Sequence, residues 1–175
     1  MSVKALTVAA MLTAMSVVIG IFCKSFLNFG MGLFRITFEN LPIILSGILF
    51  GPIVGGIVGG ATDLISYLLS PQTFSPNPIV TLGAVMIGVV SGIVSHFIIK
   101  ERGHLQFIIS GMAAHIVGSM IIKTVGLFSY YGWAVLFRIP LYLIIAPLEI
   151  LIICLLYNNT TFKKLLDSVT KRRRP

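Results

Sequence analysis

Six apolar stretches, joined by short polar connections, take up almost all of the 175 residues. They cover residues 5–22, 35–50, 53–69, 79–99, 106–128 and 133–157. A bilayer hydrocarbon core about 30 Å thick takes roughly 20 apolar residues to cross as a helix. Within it every backbone polar group must be satisfied internally, which favours helices. Charged residues make up only 10% of the chain and hydrophobic ones 57%, against about 25% charged in a soluble domain. The expected fold is therefore all-α: one integral membrane domain over 1–175, a bundle of six transmembrane helices with a basic tail at 158–175. The first run lacks a small-residue cleavage site and reads as a retained helix, not a signal peptide. Cys23 and Cys154 lie in or beside apolar runs, without metal-ligand spacing, and read as packing residues.

Charge placement predicts the orientation. Lys4 precedes the first run, Lys100 and Arg102 lie between the fourth and fifth, and the tail carries Lys163, Lys164, Lys171, Arg172, Arg173 and Arg174. Six spans put all three segments on one face, and the positive-inside rule makes that face cytoplasmic, with both termini on it. An odd number of spans would separate the two basic termini. The tail reads as an orientation signal that also attracts anionic lipid. No aromatic platform accompanies it, so nucleic acid is not an expected partner.

Ionisable residues within spans default to functional hypotheses. Arg35 and Glu39 at the start of the second run, Asp63 in the third, Lys123 in the fifth and Arg138 in the sixth all fall at similar depth, towards the outer face. His115 and Glu149 lie deeper. Converging charges of both signs are what a polar ligand pocket open to the outside requires. Arginine presents a planar fork to carboxylates, and a carboxylate such as Asp63 can accept paired donors from an amino-heterocycle. The same charges could instead pair with one another, Arg35 with Glu39 four residues on, for example. Arg and Lys near a helix end could also snorkel to the interface.

The outer connections fit a pocket mouth. The first, 23–34, holds Phe29 and Phe34. The third reads SPQTFSPNP, stiffened by prolines, with Gln72, Phe74 and Asn77 available for contacts. Phe29, Phe34, Gln72 and Phe74 are placed at that mouth, with Phe74 and Asn77 also expected to touch ligand. Trp133 fits an interfacial aromatic belt or ligand stacking. Small residues recur every four positions at Gly47, Gly51, Gly55 and Gly59, at Gly56 and Gly60, at Gly88 and Gly92, and at Ala10 and Ala14. Such faces let helices approach closely. Most are expected inside the bundle, whereas the Ala10–Ala14 face could dock onto another membrane protein.

Several chemistries lack a signature. There is no Walker A sequence, HExxH, GxSxG or Cys/His cluster, so no metal, cofactor or enzymatic activity is expected. A pore would line its axis with polar groups through the full bilayer, whereas here they gather towards one face.

The stretch from Arg35 to Gly92, RITFENLPIILSGILFGPIVGGIVGGATDLISYLLSPQTFSPNPIVTLGAVMIGVVSG, resembles the substrate-binding S components of energy-coupling factor (ECF) vitamin transporters, most closely the folate-specific FolT group. The shared pattern is an Arg, a Leu-Pro-Ile step, the Gly-Ile-Leu-Phe-Gly-Pro turn, an Asp in the next helix and a Pro-rich loop before a Thr-Leu helix start. AAMLTAMSVV resembles the alanine-rich face of S components, and Phe137-Arg138-Ile139-Pro140 the opening of their last helix. The resemblance implies a high-affinity binder of folate or a reduced folate in a bacterial cytoplasmic membrane. It would work with a transmembrane coupling subunit and two ABC ATPases, gated by the first and third outer loops and docking through Ala10 and Ala14. Another vitamin or precursor, such as pantothenate or a queuosine precursor, is the alternative within the class.

Overall fold

A computed structural model describes residues 3–29, 34–69, 77–99, 103–160 and 162–164. The side chains of Phe29, Phe34 and Arg35 lie outside that description, as do Gln72, Phe74, Lys100, Arg102 and the tail from residue 165. Helix α1 runs Val3–Phe26 and is followed by strands β1, Asn28–Phe29, and β2, Phe34–Arg35. Helix α2 covers Asn40–Phe50, α3 Pro52–Leu69, and α4 Pro78–Ile93, which continues as a π-helical turn over Val94–Ile98. Helix α5 covers His104–Ala114, widens into a π-helix over His115–Ile122, and resumes as α6, Lys123–Tyr131. A 3-10 segment, Gly132–Phe137, leads into α7, Arg138–Asn158.

The second helix starts at Asn40, not at residue 35. Phe34 and Arg35 are drawn into an antiparallel pair with Phe29 and Asn28, so the all-α expectation holds apart from this short ladder. The later start also explains Pro42. It falls in the first turn of α2, where its missing N–H would have had no intrahelical acceptor. At the other end Gly51 takes φ 92°, a left-handed conformation that glycine adopts without a Cβ penalty, and Pro52 opens α3 at once.

Helix α2 is too short to cross a bilayer alone: 11 residues rise about 16 Å. It need not face lipid. Residues 40–48 are all buried, and α2 packs against α1, α3, α4, α5 and α7. Ile43, Ile44, Leu45 and Ile48 meet Ala9, Val58, Ile87, Phe107, Ala114 and Ile153 in one core. Water does not drive this association, because lipid tails are as apolar as the helices; close van der Waals packing does. The glycine ladder supplies the closeness. A Cβ on Gly88 would collide with the carbonyl of Gly55, and one on Gly55 would lie 2.5 Å from the carbonyl of Gly88. No larger residue fits at that α3–α4 crossing.

Among the described residues, four stretches are long and apolar enough to cross a membrane: Val3–Phe26, Pro52–Leu69, Pro78–Ile98 and His104–Asn158. The last has 55 residues, about 80 Å of helix, far more than one crossing. It is broken at Gly132, φ 55°, and α5 packs back against α7. The outward faces carry Leu6, Met11, Val18, Ile57, Leu68, Ile144 and Leu155, as expected of surfaces whose solvent is lipid.

Candidate ligand-binding site

The π-helical stretch sets the site's geometry. It opens at His115 and ends just before Lys123. Its wider turn shifts the register of α6 relative to a plain α-helical continuation, a departure from the uninterrupted helix read over 106–128. Lys123 emerges only 3% exposed. Its stem lies over Gly83 of α4, where an added Cβ would come within 2.6 Å of Lys123 Cγ. Its ammonium reaches the start of α2. There Nζ lies 3.6 Å from Glu39 Oε1 and donates to Asn40 Oδ1 at 3.3 Å.

Glu39 is held from several sides. Ser16 Oγ of α1 donates to its backbone carbonyl, and its backbone N–H donates to Thr37 Oγ1 at 3.3 Å. Its other carboxylate oxygen faces Gly20, where an added Cβ would sit 2.7 Å from Oε2 and 3.4 Å from Ser66 Oγ. A buried carboxylate therefore joins α1, α3 and the head of α2 to the lysine of α6. Asn40 is fully buried, and its Nδ2 has no hydrogen-bond partner among the described residues.

The remaining expected site residues fall into smaller groups. Arg138, 5% exposed, opens α7 and donates from Nη2 to Tyr142 Oη at 3.3 Å. Asp63 is half-buried and accepts from Thr81 Oγ1 at 2.7 Å. Asn77 caps α4: its Oδ1 accepts from the Ile79 N–H at 3.0 Å, and its Nδ2 donates to the Gly126 carbonyl at 2.6 Å. These contacts tie α3 to α4 and α4 to α6. Arg35 sits in β2, not in a helix with Glu39, so the helical i, i+4 geometry that could have paired them is absent. Phe29 is the register partner of Phe34 in the ladder. Gln72 and Phe74 lie outside the described residues. Trp133 is 77% exposed and packs edge-on against Phe128, a position suited to an interfacial belt. Ala10 and Ala14 lie on the exposed face of α1, beside Met11, Met15, Val18 and Phe22.

Sequence reasoning had no signal for Asn40, Ser16 or Ser66, polar residues of ordinary type whose role emerges only where helices meet. It placed His115 and Glu149 deep in their runs but not together. His115 Nε2 lies 2.7 Å from Glu149 Oε2, a close polar contact off the line of a hydrogen bond, with both side chains fully buried. Among the described residues no group of three or more His, Cys, Asp or Glu could hold a metal ion.

Three comparisons bear on this arrangement. A protein-family model described as "ECF transporter, substrate-specific component" matches residues 4–165. The fold is similar to a crystal structure of FolT bound with folic acid, with a TM-score of 0.70 and 23% identity, covering 91% of this chain and 96% of that one. A 67-residue stretch, 38% of this chain, is 34% identical to an uncharacterised protein of Mycoplasma pneumoniae, and the match spans 14% of that protein's length.

Proposed function

The chain belongs to the family of substrate-specific components of ECF transporters, and we propose that it captures a folate at the outer face of a bacterial cytoplasmic membrane. Members of this family are substrate-binding membrane proteins, not enzymes. The observation that carries the reading is the buried Glu39–Lys123–Asn40 cluster, with Arg138 buried at the head of α7. Charges removed from water and lipid at this cost are kept for a partner. A folate offers groups to both signs. Its glutamate carboxylates suit Arg35, Lys123 and Arg138, and its amino-heterocycle suits Glu39 or Asp63. In this reading Phe74 and Asn77 also contact the ligand, and Phe29, Phe34, Gln72 and Phe74 act as gates. The fold shared with folic-acid-bound FolT supports folate over another vitamin.

In this reading the single domain crosses the membrane six times, α2 serving as a short, protein-enclosed pass, with both termini in the cytoplasm. Uptake requires a transmembrane coupling subunit and two ABC ATPases. The exposed Ala10–Ala14 face of α1 docks on that coupling subunit. Calorimetry on the detergent-solubilised chain with folate, 5-formyl-tetrahydrofolate, riboflavin and pantothenate tests the assignment. Binding of a folate without ATP is expected; heat from riboflavin or pantothenate with none from the folates would overturn it.

A further inference from the structure

Arg138 is a buried cation held by a neutral group. It is 5% exposed, and its Nη2 donates to Tyr142 Oη at 3.3 Å. The three acids among the described residues are engaged elsewhere: Glu39 beside Lys123, Asp63 on Thr81 and Glu149 beside His115. None of these three forms an ion pair with Arg138. A guanidinium carries five N–H donors in a fixed fork, and Tyr142 takes one of them. No Arg138 nitrogen is among the fully buried, unpartnered atoms, so the rest of the fork reaches accessible surface. An arginine near a helix end can extend to the interface. Here Tyr142 draws it inward. The ring stands one turn further along α7 and is 1% exposed. Helical side chains lean towards the N-terminus, so it reaches back to the turn that carries Arg138. Arg138 Cζ lies 5.7 Å from the ring centroid, within range of a cation–π attraction. His115 of the π-helical stretch backs the ring at 6.4 Å between centroids, and is itself set against Glu149 Oε2 at 2.7 Å.

We infer that Tyr142 is a positioning residue, which holds the Arg138 guanidinium within the bundle so that its remaining donors meet the anionic end of the ligand. The inference rests on the folate reading and deepens it by assigning Arg138 to the glutamate carboxylates. Two features of a tyrosine suit the task. Its phenol accepts a hydrogen bond without bringing a countercharge, so the positive charge stays available; a carboxylate in its place would neutralise the arginine and compete with the ligand. Its ring turns about only two side-chain bonds and is wedged by His115, so the fork is oriented before the ligand arrives. Bidentate recognition of a carboxylate depends on that orientation, and a long side chain ordered in advance loses less freedom on binding.

Calorimetry on the full-length chain in detergent, with folic acid and with its bis-amide, tests this directly. The bis-amide has a tail of the same shape and no charge, and the parent should bind it more weakly than folic acid. Tyr142→Phe keeps the ring and removes the acceptor. It should weaken folic acid by roughly tenfold or more, the scale of one hydrogen bond to a charged group, and leave the bis-amide nearly unchanged. Tyr142→Leu removes the ring as well and should lower the ratio further, so either variant suffices if the other fails to fold. In an Arg138→Met background Tyr142→Phe should not change the ratio again, a non-additivity that a purely structural tyrosine would not show. Three results would overturn the inference and leave the folate reading standing: a ratio unchanged or raised in the folded tyrosine variants, a further fall in the Arg138→Met background, or equal binding of both ligands by the parent. No heat from folic acid with the parent would overturn the folate reading and the inference with it.

Discussion

Lys123 Nζ lies 3.6 Å from Glu39 Oε1, both side chains being almost wholly buried. This contact closes the bundle between α6 and the head of α2. Removing one partner takes a close countercharge from the other in a buried setting, which commonly costs about 3–5 kcal/mol. Lys123→Met alone should therefore lower the midpoint of thermal unfolding in detergent substantially. Lys123→Met combined with Glu39→Gln should recover much of the loss, because neither charge then remains. A double variant no more stable than the single would show that the two residues do not act as a pair.

The His115–Glu149 pair makes a sharper version of the same test, because both groups are fully buried. Glu149→Ala leaves the buried His115 ring without its neighbour and should destabilise by about 1–3 kcal/mol. Replacing both by leucine removes both polar groups and keeps the interior filled, so that variant should unfold near the parental temperature or above it. If the double-leucine variant unfolded as early as the single alanine, the pair would be carrying more than its mutual attraction.

The α3–α4 crossing should reject any side chain. Gly88→Val drives a Cβ into the backbone of Gly55, and no rotamer relieves a clash with backbone. Little folded protein is expected from this variant, as read by size-exclusion chromatography after solubilisation. Gly103, with open space around its Cβ position and extended backbone, is the control. Gly103→Ser should be folded and as stable as the parent. Equal recovery of both variants would disprove the tight crossing.

Binding and assembly should separate on α1. Ala10 and Ala14 face outward, so Ala10→Trp or Ala14→Trp should leave folate titration unchanged while abolishing co-purification with the coupling subunit and uptake. Loss of folate binding with the complex intact would place the docking surface elsewhere.

Much of the architecture is local and so was legible in the chain itself. The apolar runs at 53–69 and 79–99 fall within about one residue of α3 and of α4 with its π-helical end. Gly51-Pro52 marked its turn, and the four-residue glycine spacing announced faces that now meet at Gly55 and Gly88. Depth along a run also placed Glu39, Lys123 and Arg138 among the buried polar residues. These features depend on neighbours within one helical turn or on the thickness of the bilayer, and both are written in residue order.

Tertiary structure decided the rest, because it concerns groups far apart in the chain. Strand pairing of Phe34 and Arg35 moved the start of α2 to Asn40. The π-helical stretch before Lys123 altered the register of its helix, which hydrophobic periodicity alone does not reveal. Asn77, a plausible ligand contact in a polar loop, spends its amide on the α4 cap and on Gly126. Asn40 had no distinguishing mark as one polar residue before a Leu-Pro step, yet a lysine reaches its amide oxygen from 83 positions away, and its Nδ2 is buried with no acceptor among the described residues. Periodicity reports which face of a helix is apolar. Which polar atoms meet across the bundle, and which are left without a partner, depends on how those faces dock.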